Sequence, residues 1–238
     1  MYPISYAAAH VEPHNRLTSF FRLFMVIPLA VVAALWGIAA LFCVMVAWFA
    51  LVFTGRYPEG LYDFVAKFLR FQTRVYAYEY LVTDQYPAFN GDDDPAYPVR
   101  VHIDPPKAEY SRMKALFRCI LFIPVYFVNY AMQVVAQFGA FAAWFVIMFT
   151  GKMPEGLQDA INLGLRYSTR ASAYMLLMTE DWPPFSDDRP ELGDAAQATA
   201  LPASSAPAPS DPAAPPELAG GFAPPVPPEP PTPPAPDS

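Results

Sequence analysis

The sequence predicts an all-α membrane protein made of two tandem, parallel repeats. Two observations lead to this prediction. The chain contains two uncharged, mostly apolar runs of 31 residues, at 23–53 and 119–149. It also contains one short segment twice, as FTGRYPEGL at 53–61 and as FTGKMPEGL at 149–157. A bilayer core needs about 20 helical residues, so each run is long enough to cross it.

Charge is distributed unevenly along the chain. Residues 1–185 carry 14 basic and 14 acidic side chains, whereas residues 186–238 carry one basic and eight acidic ones. The formal charge of −7 therefore belongs to the tail. A neutral body with an acidic tail lacks the clustered cations that nucleic-acid binding requires. We expect no nucleic-acid partner, and we expect the lipid bilayer as a partner instead.

A duplication organises the chain. Residues 16–89 align with 112–185 without a gap, and 29 of the 74 aligned positions are identical. The offset of 96 residues is too long for a solenoid, so two copies of one membrane unit is the better interpretation. The predicted domains are a first membrane repeat (1–90), a linker (91–111), a second membrane repeat (112–185) and a tail (186–238).

Short strands are predicted before each repeat. VRVHID at 99–104 alternates apolar and polar residues, which is typical of a half-buried strand, and we place the linker strand within 97–104. PISY at 3–6 is a weaker candidate. Pairing of the two segments would form a small sheet outside the membrane.

Each repeat is then expected to enter the membrane through an interfacial lead-in and one long transmembrane helix. Pro28 and Pro124 occupy equivalent positions, and proline suits the first turn of a helix better than its interior. We therefore predict an amphipathic lead-in at 14–27 and a spanning helix from Pro28 onward. A re-entrant hairpin near Gly37 is the alternative, which is less favoured because the second copy has Gln133 there.

Several residues are predicted to fix these helices at the membrane surfaces. Amphipathic aromatic and basic side chains concentrate at the interface, and the predicted interfacial anchors are Trp48, Trp144, Arg22 and Arg118. Glycine and proline favour a tight turn after each long helix, and the predicted repeated-turn residues are Gly55, Pro58, Gly151 and Pro154.

The second helix of each repeat, predicted at 59–83 and 155–179, carries a polar stripe along one face. Its arginines could form a cationic seam between the repeats that binds a lipid headgroup or another anion, with two aspartates as ion-pair partners. The candidate binding residues are Arg70, Arg74, Arg166 and Arg170, and the candidate ion-pair partners are Asp63 and Asp159. The alternative is that each arginine pairs locally and only fixes its helix in place.

Membrane topology is inferred from the repetition. If each repeat crosses twice, the copies are parallel and the near-identical loops share one environment. Seven basic residues flank the starts of the repeats and only Arg56 and Lys152 lie in the turns, which predicts cytoplasmic N- and C-termini. We therefore predict a multi-pass membrane protein. A monotopic arrangement, with the second helices flat on the surface, is the alternative.

No catalytic or metal-binding motif is recognised in the sequence. Cys43 and Cys119 are expected to be reduced, buried thiols. Three aspartates at 92–94 are expected to form a solvated linker rather than a cation site. We predict no catalytic residues, no metal and no cofactor.

The tail at 186–238 has 16 prolines in 53 residues, few aromatic residues and many acids. Such a composition cannot bury enough surface to fold and favours polyproline II where prolines are dense. A disordered spacer is expected, and a docking tail for protein partners is the alternative.

The motifs of both copies resemble a known family. These motifs are the Arg–Ile-Pro helix start, the AWF…FTGRYPEGL turn and the R…RVYAY…TDQYPAF exit. They resemble the bacterial membrane family called domain of unknown function 4389, which is frequent in actinobacteria, over roughly residues 1–185. The second copy departs mildly, with KMPEGLQDA at the turn and TEDWPPF at the exit. The resemblance implies a membrane location and no known activity.

Three classes of function are consistent with these features. The preferred one is a non-enzymatic scaffold or accessory subunit that recruits partners through a cytoplasmic proline-rich tail, and it could form a homo-oligomer. The second is a small carrier or channel with an arginine-lined site at the repeat interface. An intramembrane enzyme is least supported, because only Asp63 and Asp159 could supply paired acid–base groups.

Overall fold

The computed structural model describes residues 2–10 and 16–185, which form a mostly helical protein with one small sheet. The elements follow in the order β1 (Ile4–Ala8), α1 (Arg16–Thr54), α2 (Glu59–Glu79), β2 (Val99–Ile103), α3 (Arg112–Leu116), α4 (Arg118–Thr150) and α5 (Glu155–Met175). The mostly helical class and the two-stranded sheet are confirmed. The predicted disordered tail, at 186–238, lies outside the described residues.

The two long helices face away from the rest of the protein. Both α1 and α4 are long and apolar enough to cross a membrane, by length and composition. Only 11% of the most apolar window of each helix is buried in the protein. One narrow stripe of each helix packs inward, and the rest of its apolar surface is uncovered.

The predicted helix break at the prolines is wrong. Pro28 lies inside α1 and Pro124 lies inside α4, and both are on the exposed side of the helix. A proline there removes one backbone hydrogen bond and bends the helix without ending it. In the second repeat a separate short helix, α3, does precede the long helix α4. The break between these two helices lies at Phe117 and not at Pro124. The re-entrant hairpin near Gly37 does not form, because α1 continues through that residue.

Equivalent turns join each long helix to the shorter one that follows. Gly55 and Gly151 adopt left-handed conformations, with φ of 71° and 73°, which glycine tolerates without a steric penalty. Pro58 and Pro154 precede the first turns of α2 and α5, with φ of −63° and −64°. The structure thus has a turn and a helix start where the repeated nonapeptide predicts them.

The shorter helices end before their predicted boundaries. α2 ends at Glu79 rather than at residue 83, because Leu81 turns left-handed with a φ of 65°. The Val82 amide then donates to the Ala77 carbonyl at 3.0 Å, as in a Schellman motif. Leu177 repeats this at the end of α5, with a φ of 63°. A leucine rather than a glycine holds this strained conformation in both copies, and both leucines are buried.

The two strands are exchanged between the repeats. β1 and β2 pair in antiparallel register, with Tyr6 opposite Val101 at the centre. β1 precedes the first repeat but packs on α5 of the second, whereas β2 precedes the second repeat and packs on α2 of the first. Each repeat therefore covers part of its partner's shorter helix with its own N-terminal strand.

An approximate two-fold axis relates the repeats. The Oγ1 atoms of Thr73 and Thr169, which are equivalent residues, lie 3.2 Å apart where α2 and α5 meet. The Trp48 indole donates to the Ala115 carbonyl at 2.9 Å. In the equivalent contact, the Trp144 indole donates to the Ser19 carbonyl at 3.2 Å. The end of each long helix therefore contacts the start of the other repeat, so α1 and α4 run antiparallel.

The elements form three layers along this axis. The sheet packs on one side of α2 and α5, and the long helices α1 and α4 pack on another side. Among the described residues, no strand contacts either long helix. The sheet thus lies at one end of the axis and the apolar helices lie at the other. The linker joins the two ends, because the Tyr110 amide donates to the Gly55 carbonyl after α1 at 2.8 Å.

Candidate functional site

The arginines of the predicted seam lie under the sheet. The Arg70 Nε atom donates to the Val101 carbonyl at 3.3 Å, and the Arg170 Nε atom donates to the Ile4 carbonyl at 3.3 Å. The Arg170 Nη1 atom also donates to the Pro184 carbonyl at 2.8 Å. These arginines therefore bind protein carbonyls and fix the exchanged strands and the chain exit in place.

Two of these arginines are deeply buried beneath tyrosine rings. The Arg74 guanidinium lies 5.1 Å from the Tyr97 ring centre, and the Arg170 guanidinium lies 5.5 Å from the Tyr2 ring centre. Both guanidinium groups are buried. Burial lowers the pKa of Arg74, and the neighbouring Tyr97 partly offsets this. Cation–π contacts of this kind stabilise buried cations, so the geometry favours the structural alternative over an open anion site.

The predicted ion-pair partners do not take part. Asp63 and Asp159 are exposed, and neither belongs to an ion pair within the described residues. On α2 and α5 they lie beside the polar stripe, but their side chains remain in solvent. The carboxylate that does pair near this face is Asp92, which lies 2.9 Å from Lys67. Asp92 belongs to the aspartate run that is predicted to form a solvated linker, and its side chain is largely exposed.

Arg22 and Arg118 are not interfacial anchors, because both are buried in the protein. The Arg22 guanidinium contacts the Tyr78 carbonyl and the Asp84 carboxylate, and it donates to the Thr83 carbonyl at 2.9 Å. It also lies 4.4 Å from the Tyr78 ring centre. We call this arrangement, in which an arginine of the long helix holds the left-handed exit of the shorter helix, the exit clamp.

The second repeat contains an equivalent exit clamp. The Arg118 guanidinium lies 4.0 Å from the Tyr174 ring centre, and its Nη2 atom donates to the Thr179 carbonyl at 2.8 Å. The carboxylate differs, because Glu180 instead accepts a hydrogen bond from the Ser111 amide. The arginine and the threonine whose carbonyl it binds occur in both copies of the sequence. Their contact could not be predicted from residue spacing, because the two residues lie about sixty positions apart.

Trp48 and Trp144 join the repeats. Each indole is half-buried and donates to a carbonyl at the start of the other repeat. Because one side of each ring remains uncovered, these residues can still lie at an interface, as the sequence predicts. Interfacial anchoring itself stays a prediction.

The described residues offer few groups for catalysis. No three His, Cys, Asp or Glu side chains within residues 2–10 and 16–185 come together as a candidate metal site. Cys43 is half-buried and Cys119 is exposed, so the expectation of two buried thiols is wrong for Cys119, which lies on the outer side of α4. Both are free thiols.

The fold and these clamps define a duplicated helical protein in which buried arginines hold each repeat together and two apolar helices remain uncovered. Its sequence matches the family model described as Domain of unknown function (DUF4389) at residues 16–90 and again at 112–187. The chain therefore belongs to this family and contains two copies of its domain. No curated protein and no solved structure matches the chain.

Proposed function

We propose that this protein is a non-enzymatic membrane scaffold whose long helices lie in the plane of one leaflet, on the cytoplasmic face of the bacterial cell membrane. The observation that carries the proposal is the position of α1 and α4 relative to the two-fold axis. Both helices present apolar surface, and both run across the axis rather than along it.

The uncovered apolar surface is concentrated on these helices. Sixteen large apolar side chains of α1 and ten of α4 are exposed. Soluble monomers rarely leave so large a contiguous apolar surface uncovered, and such surfaces mark contacts with membranes or partners. The helix ends carry exposed basic side chains, including Arg16, Arg56 and Lys152, which suit a layer of anionic headgroups.

The orientation follows from the paired tryptophan contacts. A two-fold rotation leaves height along its axis unchanged, so Trp48 and Trp144 lie at one height. Since Trp144 contacts Ser19, the heights of Ser19 and Trp48 differ by no more than a side chain and a hydrogen bond, roughly 10 Å. The helix between them is about 44 Å long at 1.5 Å per residue. α1 therefore runs nearly perpendicular to the axis, and so does α4.

Two orientations in a bilayer remain. If the axis lay in the membrane plane, α1 and α4 would cross the bilayer, but the sheet and the exposed Lys67–Asp92 pair would lie near its centre. Each charged side chain at that depth costs about 3 kcal/mol or more, and unpaired strand edges add to the cost. If the axis follows the membrane normal, the sheet stays in water and only the apolar helices meet lipid. The second orientation is therefore favoured.

Depth measurements with spin labels test this arrangement. Single-cysteine variants Phe24→Cys, Leu35→Cys and Val46→Cys, in a chain with Cys43→Ala and Cys119→Ala, place labels along the exposed side of α1. In lipid vesicles we expect all three labels at a similar, shallow depth, because the helix lies in the plane of the membrane. A crossing helix would instead place Leu35→Cys deepest.

Accessibility provides the matched control. Arg16→Cys and Arg56→Cys stand at opposite ends of α1, and Lys67→Cys lies on the sheet side. A membrane-impermeant maleimide added to intact cells or sealed vesicles should label all three from one side only. Labelling of Arg16→Cys and Arg56→Cys from opposite sides would contradict the in-plane arrangement and support a multi-pass protein.

The scaffold role depends on the acidic, proline-rich tail. Proline-rich segments dock into aromatic-lined grooves of partner proteins with little loss of entropy. We expect deletion of residues 186–238 to remove the specific partners that are cross-linked to the full chain in cells, while membrane binding stays unchanged. A chain with the tail sequence shuffled is the control, and an unchanged set of partners after deletion would contradict the scaffold role.

A carrier that uses the arginine seam is less favoured, because Arg70 and Arg170 bond to strand carbonyls. Anion flux in proteoliposomes that is abolished by Arg70→Gln would support a carrier instead.

A further inference from the structure

A cavity of about 550 Å³ opens between the start of α1, the end of α2 and the middle of α4. This volume lies in the usual range of small-molecule sites. Its walls are mainly apolar, and they include Leu23, Val26 and Phe141. Five polar side chains also line the cavity, namely Ser19, Arg22, Glu79, Tyr80 and Gln137. The Arg22 guanidinium is already engaged in the exit clamp, where Asp84 pairs with it.

The duplication provides an internal comparison for these polar residues. Four of the five equivalent positions of the other half, 96 residues away, are apolar, namely Ala115, Met175, Leu176 and Leu41, and the fifth is Arg118. The other half also has larger residues, Phe122 and Val44, where the cavity has Val26 and Ala140. The fold therefore does not require Ser19, Glu79, Tyr80 and Gln137, which occur in only one of the two equivalent places.

Glu79 has the chemistry of a ligand-binding group. Its carboxylate has no hydrogen-bond or ion-pair partner among the described residues. It projects from α2 on the side away from the sheet, a half-turn from Arg70 on the helical wheel. The Glu79 side chain is exposed on the cavity side, and partial desolvation there raises the pKa of its carboxyl group. A cation placed beside it would stabilise the charged form.

The neighbouring groups set the polarity of the site. Burial raises the pKa of Tyr80 to about 12, so its hydroxyl remains neutral, and the nearby Gln137 side chain offsets part of this rise. The Gln137 amide and the Tyr80 hydroxyl can accept hydrogen bonds from a donor that reaches Glu79. Phe20, Phe141 and Trp144 also line the cavity, and an apolar chain can pack against their ring surfaces.

We infer that this cavity binds a membrane lipid with a primary ammonium headgroup, such as phosphatidylethanolamine. The ammonium group donates hydrogen bonds to the Glu79 carboxylate, and one acyl chain lies against the ring surfaces between α1 and α4. This inference rests on the proposed membrane location, because the cavity opens among the helices that are proposed to lie in the leaflet.

Native mass spectrometry of the full chain, released from nanodiscs that contain equal amounts of three lipids, tests the inference. The lipids are phosphatidylethanolamine, phosphatidylcholine and phosphatidylglycerol with identical chains. We expect one retained phosphatidylethanolamine per chain, favoured over phosphatidylcholine by about tenfold, because the quaternary ammonium has no N–H to donate. Equal retention of these two lipids, or preferred retention of phosphatidylglycerol, would overturn the inference.

Two variants take their side chains from the other half of the protein. Glu79→Met introduces the residue found at position 175 and should abolish the preference. Val26→Phe combined with Ala140→Val should exclude the acyl chain and lower retention of all three lipids. Glu59→Gln, an exposed carboxylate at the other end of α2, is the matched control and should change nothing. Unchanged preference in Glu79→Met would overturn the inference, even if the double variant fails to fold.

Vesicle flotation separates this inference from the proposed function. Protein that floats with vesicles of phosphatidylcholine alone but shows no lipid preference would contradict the lipid site and leave the membrane scaffold intact. Protein that does not float with any vesicle would contradict both.

Discussion

Replacing Arg22 with methionine should lower the free energy of unfolding by about 3 kcal/mol, because breaking a buried ion pair typically costs 3–5 kcal/mol and Asp84 is partly exposed. The substitution keeps a side chain of similar length but removes the donors that serve Tyr78 and Thr83. The left-handed exit at Leu81 would then lose the contacts that offset its strain.

Denaturant titration in mild detergent, followed by tryptophan fluorescence, measures this loss. Arg56→Met, in the turn between α1 and α2, is the matched control. Because Arg56 is exposed, this substitution should change the free energy of unfolding by less than about 0.5 kcal/mol. Arg118→Met should also destabilise the protein, by a smaller amount, because no carboxylate pairs with Arg118 among the described residues. An Arg22→Met protein as stable as the parent would refute the exit clamp.

The second large effect is expected from Gly164→Ala in α5. A methyl group there would lie 2.7 Å from the Ala136 Cβ atom and 2.7 Å from the Met132 carbonyl oxygen of α4. Backbone atoms cannot rotate away, so the two helices must move apart. Such overpacking typically costs about 1–3 kcal/mol, and the same titration would detect it.

Gly156→Ala is the matched control for this change, because it introduces the same methyl group on the same helix. Nothing lies within 4 Å of the added atom. Alanine favours a helix over glycine by up to about 1 kcal/mol, so this variant should be unchanged or slightly more stable. Equal stability of the two variants would contradict the close packing of α4 against α5 at Gly164.

Features of the fold that depend on neighbouring residues could be predicted from the sequence. The gap-free duplication, the apolar runs and the alternation in VRVHID predicted the repeats, the long helices and the sheet. The turn around Gly55 was predictable because glycine tolerates positive φ there. The helix break at Pro28 was predicted wrongly, because proline on an exposed face bends a long helix without ending it.

The contacts of the candidate site were not predictable, since they join distant parts of the chain. The partners of Arg22 lie 56–62 residues away, and the strand that covers α5 ends at Ala8, whereas α5 begins at Glu155. The pattern of arginines predicts a seam that is open to ligands. The same pattern is equally consistent with arginines that donate their hydrogen bonds to backbone carbonyls of the protein. One signal for the cavity lies in the sequence itself, because the repeats differ at equivalent positions, with Glu79 in the first and Met175 in the second.

The exchange of strands imposes an order on biosynthesis. During translation, α2 is made before β2 exists to cover it, and β1 must wait for both repeats to be made before α5 is available. The first strand made can pair with β2 once that strand exists, but it docks on α5 only after the second repeat has been made. Neither half can be excised as an autonomous module without leaving the other's polar helix face bare.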